Sequence, residues 1–142
     1  MNRVLFLKTL SLFEGLSLDD LLSVDAAVVP EEYMAGETIV RQGETGATLY
    51  IVARGTASVR LVSDSGEREV AQLHEGEYFG EMALFDDQPR SATVTALTDA
   101  TLLTLERDRF STLVMQRPEI LLQICKVFGN RLRETNRRLL AA

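Results

Sequence analysis

Short runs rich in valine, isoleucine, threonine and leucine follow one another through the middle of the chain, separated by turns that contain glycine. The runs cover residues 28–34, 38–41, 49–53, 56–62, 69–74, 92–97 and 101–106. Strands that recur about every ten residues are typical of antiparallel sandwiches and barrels. The pattern therefore predicts an antiparallel β-structure over residues 28–106.

Glycine marks the breaks between the runs, at Gly36, Gly43, Gly46, Gly55, Gly66 and Gly76. The sequence Asp64-Ser65-Gly66 predicts a hairpin between two alternating runs, because these residues favour tight turns. We expect each glycine to supply a backbone angle that other residues resist, and we assign none of them a chemical role.

Helical periodicity flanks the predicted strands on both sides. Residues 3–10 predict a short helix, and Ser17 predicts the N-cap of a second one. Residues 107–117 predict a third helix, and Pro118 opens a fourth. Apolar side chains fall on one stripe of the fourth helix, at Leu121, Cys125, Phe128, Leu132 and Leu139.

Together the patterns predict one α+β domain over residues 1–142. Its parts are an N-terminal helical segment (1–27), a β-barrel body (28–106) and two C-terminal helices (107–142). A chain of 142 residues is long enough to bury one core of this kind.

Charge and composition narrow the class of protein. The net charge of −6 argues against a general nucleic-acid surface, although residues 118–142 carry five basic side chains against two glutamates. No apolar run reaches the length of about eighteen residues that spans a bilayer. The single cysteine excludes an internal disulfide and fits a reducing compartment, so we expect a cytoplasmic protein without membrane contact.

Side chains suited to catalysis are scarce. His74 is the only histidine and Cys125 lies in the helical stripe, so neither a metal site nor a catalytic triad can be assembled. Asp86 and Asp87 stand beside Gln88-Pro89, which is typical of a solvated loop tip. We therefore expect no catalytic residues, no metal and a binding protein rather than an enzyme.

The stretch YFGEMALFDDQPRSATV, residues 78–94, holds the candidate site. Its single arginine, Arg90, can bind a phosphate with two hydrogen bonds, and the Ser91 hydroxyl adds a donor. Backbone N–H groups near Ala83 and Ala92 can add more. One arginine suits a singly charged phosphate better than a triphosphate.

Glu81 limits the choice of ligand further. A carboxylate repels a bare phosphate, so its presence beside an anion site makes sense if the ligand also carries a hydroxyl donor, as a ribose does. A phosphate and a ribose hydroxyl bound by one short loop together indicate a nucleotide.

The same stretch resembles the phosphate-binding cassette of cyclic nucleotide-binding domains, whose pattern is F-G-E-x-A-L, a short loop and R-[STA]-A. The matching residues are Phe79, Gly80, Glu81, Ala83, Leu84, Arg90, Ser91 and Ala92. The stretch AGETIVRQGETGATLYIVARGTASV upstream is similar to the glycine-punctuated strands of the same family. The resemblance implies a jelly-roll-like, cupin-like double-stranded β-helix, with a short helix in the phosphate loop.

The resemblance also implies a role for each cassette residue. Glu81 would accept a hydrogen bond from the ribose 2′-hydroxyl, together with the Gly80 backbone. Arg90 would pair with the cyclic phosphate. The phosphate would also bind Ser91 and the backbone N–H groups of Ala83 and Ala92.

The base would be contacted by strand residues and by a lid on the last helix. We predict Val70, Leu73, Phe79 and Arg131 for these contacts. Core packing is the alternative for Phe79. For Arg131 the alternative is a solvated position, and Arg133, Asn136 and Arg137 compete with it for the lid contact.

The function implied is a sensor for a cyclic nucleotide, with cAMP favoured and cGMP as the alternative. In the family, an alanine after the phosphate arginine favours adenine and a threonine favours guanine, and Ser91 lies between the two. Binding would move the last helix and report to an effector domain or partner protein.

The residues after Arg117 are too few for a winged helix, so we expect no nucleic acid to be bound. The chain would be a module of a larger, membrane-attached protein or stand alone. The alternative is a ligand-free scaffold that acts through its last helix.

Overall fold

The computed structural model describes residues 3–141, and residues 1, 2 and 142 of the predicted domain lie outside them. The helices are α1 (Arg3–Lys8), α2 (Leu18–Ala27), α3 (Arg107–Gln116) and α4 (Pro118–Ala141), with 3₁₀ helices at Ser11–Phe13 and Glu81–Leu84. The strands are β1 (Val29–Tyr33), β2 (Thr38–Val40), β3 (Thr48–Arg54), β4 (Ala57–Ser63), β5 (Gly66–Leu73), β6 (Tyr78–Phe79), β7 (Thr93–Ala96) and β8 (Ala100–Glu106).

The strands form two four-stranded antiparallel sheets, in the orders β1-β8-β3-β6 and β2-β7-β4-β5. The chain passes from one sheet to the other at most of its connections, which is the arrangement of a jelly roll. The predicted antiparallel jelly roll is confirmed, as two sheets and not as one closed barrel.

The β4–β5 hairpin confirms the predicted turn. Ser63 pairs with Gly66, and Asp64 and Ser65 form the loop between them. Gly66 has a φ of 113°, which a residue with a side chain rarely adopts. Because the loop is this short, β5 begins at Gly66, three residues before the strand predicted from the sequence.

The core of the β-structure centres on β3 and β8, which pair with each other. Leu102, Leu103 and Leu105 of β8 are buried, so both faces of this strand are covered. Leu49, Ile51 and Val52 of β3 are buried as well. β6 adds two residues to the edge of β3, where Phe79 lies opposite Tyr50. This pairing fixes where the cassette leaves the sheet.

Two compact units make up the chain, one over Val28–Phe110 and one built from the described residues up to Ala27 and from Ser111 onward. In the helical unit, the Ser17 Oγ accepts from the Asp20 N–H at 3.1 Å, which confirms the predicted N-cap. Asp20 is buried, and Arg117 donates to its carboxylate at 3.1 Å.

The predicted apolar stripe of α4 is wrong by one residue. The buried positions of α4 are Ile120, Ile124 and Val127. The helix packs against the 3₁₀ helix Ser11–Phe13. Leu132 is 63% exposed and Cys125 is exposed too. Both series of apolar residues follow helical spacing, so periodicity alone does not select the face that packs. Over residues 3–141, no helix combines the length and the apolar character needed to cross a membrane.

Candidate functional site

A cavity of about 360 Å³ opens beside the cassette. It is lined by Gly80, Glu81, Met82, Ala83, Asp86, Gln88, Pro89, Arg90 and Ser91. Five of the six residues predicted to hold phosphate and ribose therefore meet at one cavity. The sixth, Ala92, is half-buried just before β7 and is not part of the lining.

Gly80 starts the turn that brings these residues together. Its backbone is left-handed, with φ 78° and ψ 18°, and the 3₁₀ helix Glu81–Leu84 follows directly. A β-carbon at this position would be 2.9 Å from the Thr48 carbonyl oxygen and would also overlap the Arg90 guanidinium. Only glycine meets both requirements. The Ala83 N–H, which we predicted to bind phosphate, donates to the Gly80 carbonyl at 3.1 Å.

Arg90 reaches into this region from the other end of the loop. Its Nη2 donates to the Thr48 carbonyl at 2.9 Å. Its Cζ lies 5.8 Å from the centre of the Tyr50 ring, which in turn stacks on Phe79 with 4.9 Å between ring centres. Phe79 thus supports the ring beneath the arginine, and the side chain is held from two directions.

The Arg90 guanidinium is half-buried and has no carboxylate partner among the residues that the structure describes. Burial lowers the pKa of Arg90 from its usual value, while the nearby Tyr50 acts in the opposite direction. An arginine keeps its charge even so. A half-buried cation without a protein counter-charge favours the binding of an anion from solution.

Gly46 gives the same guanidinium the space it needs. A β-carbon at Gly46 would be 2.6 Å from Nη2 of Arg90 and 2.8 Å from its Nε. The φ angle of Gly46 is not left-handed, unlike that of Gly43 at 88°. The expectation that every glycine supplies a backbone angle is therefore wrong at Gly46, where the missing side chain makes room for Arg90.

The backbone of Arg90 is fixed by the turn before β3. The Gly43 N–H donates to the Arg90 carbonyl at 2.8 Å, and the Arg90 N–H donates to the Glu44 carbonyl at 2.8 Å. Thr45 and Pro89 form an isolated β-bridge beside these bonds. Both the backbone and the side chain of Arg90 are thus positioned by residues more than forty positions earlier.

Glu81 lines the cavity with a half-buried side chain. Its carboxylate makes no hydrogen bond or ion pair with another residue in the described part of the chain. One cavity therefore presents a guanidinium with donors to spare and a carboxylate that can accept, which suits a ligand with both an anion and a hydroxyl group.

Arg107 lies at the start of α3, and its role was not predicted from the sequence. It binds residues 83–87, which we call the cassette loop. It donates to the carbonyls of Ala83 and Asp86 and to the carboxylate of Asp87. The one sequence signal for it was the acidic pair Asp86-Asp87, which favours a nearby cation.

The residues predicted to contact the base are more dispersed. Val70 and Leu73 lie on β5, where Val70 is 45% exposed and Leu73 pairs with Ala57. Arg131 is an exposed residue of α4, in the helical unit. Neither they nor Phe79 line the cavity, and their base contacts stay predictions. In the part of the chain that the structure covers, no group of three or more metal-binding side chains occurs.

Comparison with known protein families matches residues 30–117 to the cyclic nucleotide-binding domain. The chain belongs to this family. Among curated proteins, it is similar to the CRP-like cAMP-activated global transcriptional regulator of Mycobacterium tuberculosis (strain ATCC 25618 / H37Rv). The two are 30% identical over 129 residues, and this aligned region covers 90% of the chain and 58% of the regulator. It is 41% identical over 96 residues to the cAMP-dependent protein kinase type II regulatory subunit of Drosophila melanogaster, covering 68% of the chain and 24% of the subunit.

Solved structures of regulatory proteins have the same fold as this chain. The N-terminal domain of a transcriptional regulator from Streptomyces coelicolor A3(2) superposes with a TM-score of 0.86 at 31% identity and covers 94% of both chains. The regulatory domain of Toxoplasma gondii PKA, solved with cAMP, gives a TM-score of 0.77 at 30% identity, covering 92% of this chain and 48% of that one. The predicted family and fold are confirmed.

Proposed function

We propose that this cyclic nucleotide-binding domain is a sensor that binds cAMP at the cassette cavity and passes the binding event to an effector domain or partner protein. One observation carries the proposal: the half-buried Arg90 has no carboxylate partner in the described chain, and it shares its cavity with Glu81. The two side chains match the two functional groups, phosphate and ribose hydroxyl, that a cyclic nucleotide offers together.

In this proposal Arg90 holds the cyclic phosphate. A guanidinium has five N–H donors, and one of them is used by the Thr48 carbonyl. The remaining donors can form the paired hydrogen bonds that arginine makes with phosphate oxygens. Ser91 lines the same cavity and adds its hydroxyl. The N–H of Ala92 is the further donor predicted for the phosphate, whereas the N–H of Ala83 already donates to the Gly80 carbonyl and would have to leave that bond to join the set.

Glu81 accepts from the ribose 2′-hydroxyl, with the Gly80 backbone beside it. A ligand that lacks this hydroxyl would leave the carboxylate without a hydrogen-bond partner. It should therefore bind much more weakly than a ligand that carries the hydroxyl. The base then lies against side chains predicted from Val70, Leu73, Phe79 and Arg131. Ser91 leads us to prefer adenine over guanine.

A regulatory role is supported by the relatives. The mycobacterial protein is named as a cAMP-activated transcriptional regulator, and the fly protein as a regulatory subunit of a cAMP-dependent kinase. The chain spans 58% of the first and 24% of the second, so the activity of the whole protein is part of the proposal. We infer that the C-terminal helices report binding, which requires the ligand to favour one helix position over another. The single cysteine supports a cytoplasmic location.

Titration calorimetry with cAMP and cGMP tests the choice of ligand. We expect cAMP to bind at least tenfold more tightly than cGMP. Ser91→Thr should narrow that ratio by improving cGMP binding, and Ser91→Ala should leave cAMP binding within a few-fold. Equal affinities for the two nucleotides would contradict the assignment of cAMP. A chain that gives no heat with either at high micromolar concentration would favour the ligand-free scaffold.

A further inference from the structure

Arg107 holds the cassette loop with all three nitrogens of its guanidinium. Nε donates to the Ala83 carbonyl at 2.9 Å, and Nη2 donates to the Asp86 carbonyl at 2.6 Å. Nη1 bonds the Asp87 carboxylate at 2.6 Å. The Arg107 side chain is 29% exposed, and its two bonds to the backbone carbonyls are partly buried. The bond to Asp87 lies in solvent, because the Asp87 side chain is 81% exposed.

The backbone acceptors lie where a short helix leaves carbonyls without a partner. The Met82 carbonyl accepts from the N–H groups of Phe85 and Asp86. The Ala83 carbonyl, one residue later, accepts from Arg107 instead. Because the last carbonyls of a helix have no intrahelical donor, Arg107 supplies the Ala83 carbonyl with a donor that the short helix does not provide.

The loop also carries charge of the wrong sign for an anion site. Asp86 lines the cavity together with Glu81, and Asp87 follows directly. Carboxylates close to the cavity oppose the entry of a phosphate. Arg107 pairs with Asp87 and so offsets part of this negative charge, but only modestly, because the Asp87 side chain is 81% exposed and the pair is screened by water.

A second contact from α3 reaches the same loop. Phe110, one helical turn after Arg107, packs edge-to-face against Phe85 with 5.7 Å between ring centres and an angle of 88°. The first turn of α3 thus supports the loop through one polar and one aromatic contact, which makes its shape depend on that helix.

We propose that Arg107 is a positioning residue for nucleotide binding: it holds residues 83–87 so that the cassette is shaped for the phosphate before the ligand arrives. This inference rests on the proposed function, since it concerns the same cavity. The preformed loop spares the ligand the cost of ordering it. Loss of Arg107 should therefore speed dissociation more than it slows association.

The test compares Arg107→Ala, Arg107→Lys and Arg109→Ala, a control that removes a charge from an exposed position two residues along α3. Hydrogen exchange is measured on the ligand-free proteins, and cAMP binding by calorimetry and stopped flow. We expect Arg107→Ala to raise exchange at residues 81–88 but not in the β4–β5 hairpin, and to weaken cAMP binding at least tenfold. Arg109→Ala should stay within twofold of the wild type.

Arg107→Lys separates positioning from charge. Lysine can pair with Asp87 but cannot reach both carbonyls in the fixed geometry of a guanidinium, so we expect only partial rescue. Full rescue by lysine, cAMP affinity of Arg107→Ala within twofold of the wild type, or an exchange increase spread evenly over both sheets would each overturn the proposal. If the wild type binds neither nucleotide, the proposed function fails, and the exchange data still decide whether Arg107 holds the loop.

Discussion

Gly46 lies so close to the guanidinium of Arg90 that a β-carbon at position 46 would be 2.6 Å from Nη2. Gly80 approaches the same guanidinium, because a β-carbon at position 80 would overlap Nη1 of Arg90. Two glycines from different turns therefore form the walls between which the arginine lies, and the Thr48 carbonyl fixes it by a hydrogen bond. The position of the charge is set by the backbone, which deforms less easily than side chains do.

Gly46→Ala should weaken ligand binding while leaving the fold intact. The atoms that the new β-carbon meets are at the end of a long side chain, which can move aside at small cost to folding. The moved guanidinium no longer meets the phosphate, so we expect cAMP affinity to fall at least tenfold, about 1.4 kcal/mol. Calorimetry and thermal unfolding measure the two effects.

Gly129→Ala is the matched control, because a β-carbon there meets nothing within 4 Å. In the interior of α4 the change should be neutral or should stabilise by up to about 1 kcal/mol, with unchanged affinity. Equal cAMP affinity in the Gly46→Ala protein and this control would show that the close approach of Gly46 to the Arg90 guanidinium does not matter for ligand binding.

Glu81→Ala should weaken cAMP binding but leave the binding of 2′-deoxy-cAMP unaffected. Loss of a hydrogen bond to a charged group costs about 1.5–3 kcal/mol, or roughly 10- to 150-fold in affinity. The wild type should lose a similar amount on 2′-deoxy-cAMP, and the two changes should not add. Additive losses in this cycle would mean that Glu81 does not contact the 2′-hydroxyl.

Asp20→Asn should destabilise the helical unit in a pH-dependent manner. Burial raises the pKa of Asp20, but hydrogen bonding, chiefly to Arg117, outweighs burial and lowers it below the usual value. A lowered pKa in the folded state contributes stability above the unfolded pKa, and this contribution is lost as the pH falls through the folded pKa. We expect the variant to lose about 2 kcal/mol at pH 7, measured by urea unfolding.

The difference between the Asp20→Asn variant and the wild type should begin to shrink as the pH falls below about 4, where the carboxyl of the unfolded chain becomes protonated. It should go on shrinking as the pH falls through the lower pKa of the folded state. Asp19→Asn serves as the control, since Asp19 is exposed in the same helical turn. A destabilisation that is the same at pH 3 and pH 7 would rule out the charge of Asp20 as its cause.

Local patterns allowed most of the fold, and most of the residues that line the candidate site, to be predicted. The alternation and glycine punctuation of residues 28–106 gave the strands, because each strand signal lies within its own few residues. Gly80, Glu81 and Arg90 were recognisable for a similar reason, since the cassette is continuous in sequence and its chemistry follows from residue type and spacing.

Contacts between distant parts of the chain were not predictable in the same way. Arg107 bonds Ala83, 24 residues earlier, and Gly46 makes room for an arginine that follows much later. The packed face of α4 was missed for another reason: Ile120 and Leu121 begin two apolar series of equal spacing, and only tertiary packing chooses between them.

Calorimetric titration of the wild type and of Arg90→Ala with cAMP tests most directly whether this domain is a nucleotide sensor built around one arginine. Removing one partner of a partly buried charge pair costs about 2–5 kcal/mol, so the variant should bind at least thirtyfold more weakly. The cAMP affinity of Arg90→Lys should lie between those of the wild type and Arg90→Ala, because lysine keeps the charge but not the forked geometry.

Thermal unfolding shows whether the variants are folded. A folded Arg90→Ala protein that binds cAMP as tightly as the wild type would contradict the role of Arg90, and a folded wild type that releases no heat with cAMP or cGMP would contradict the sensor.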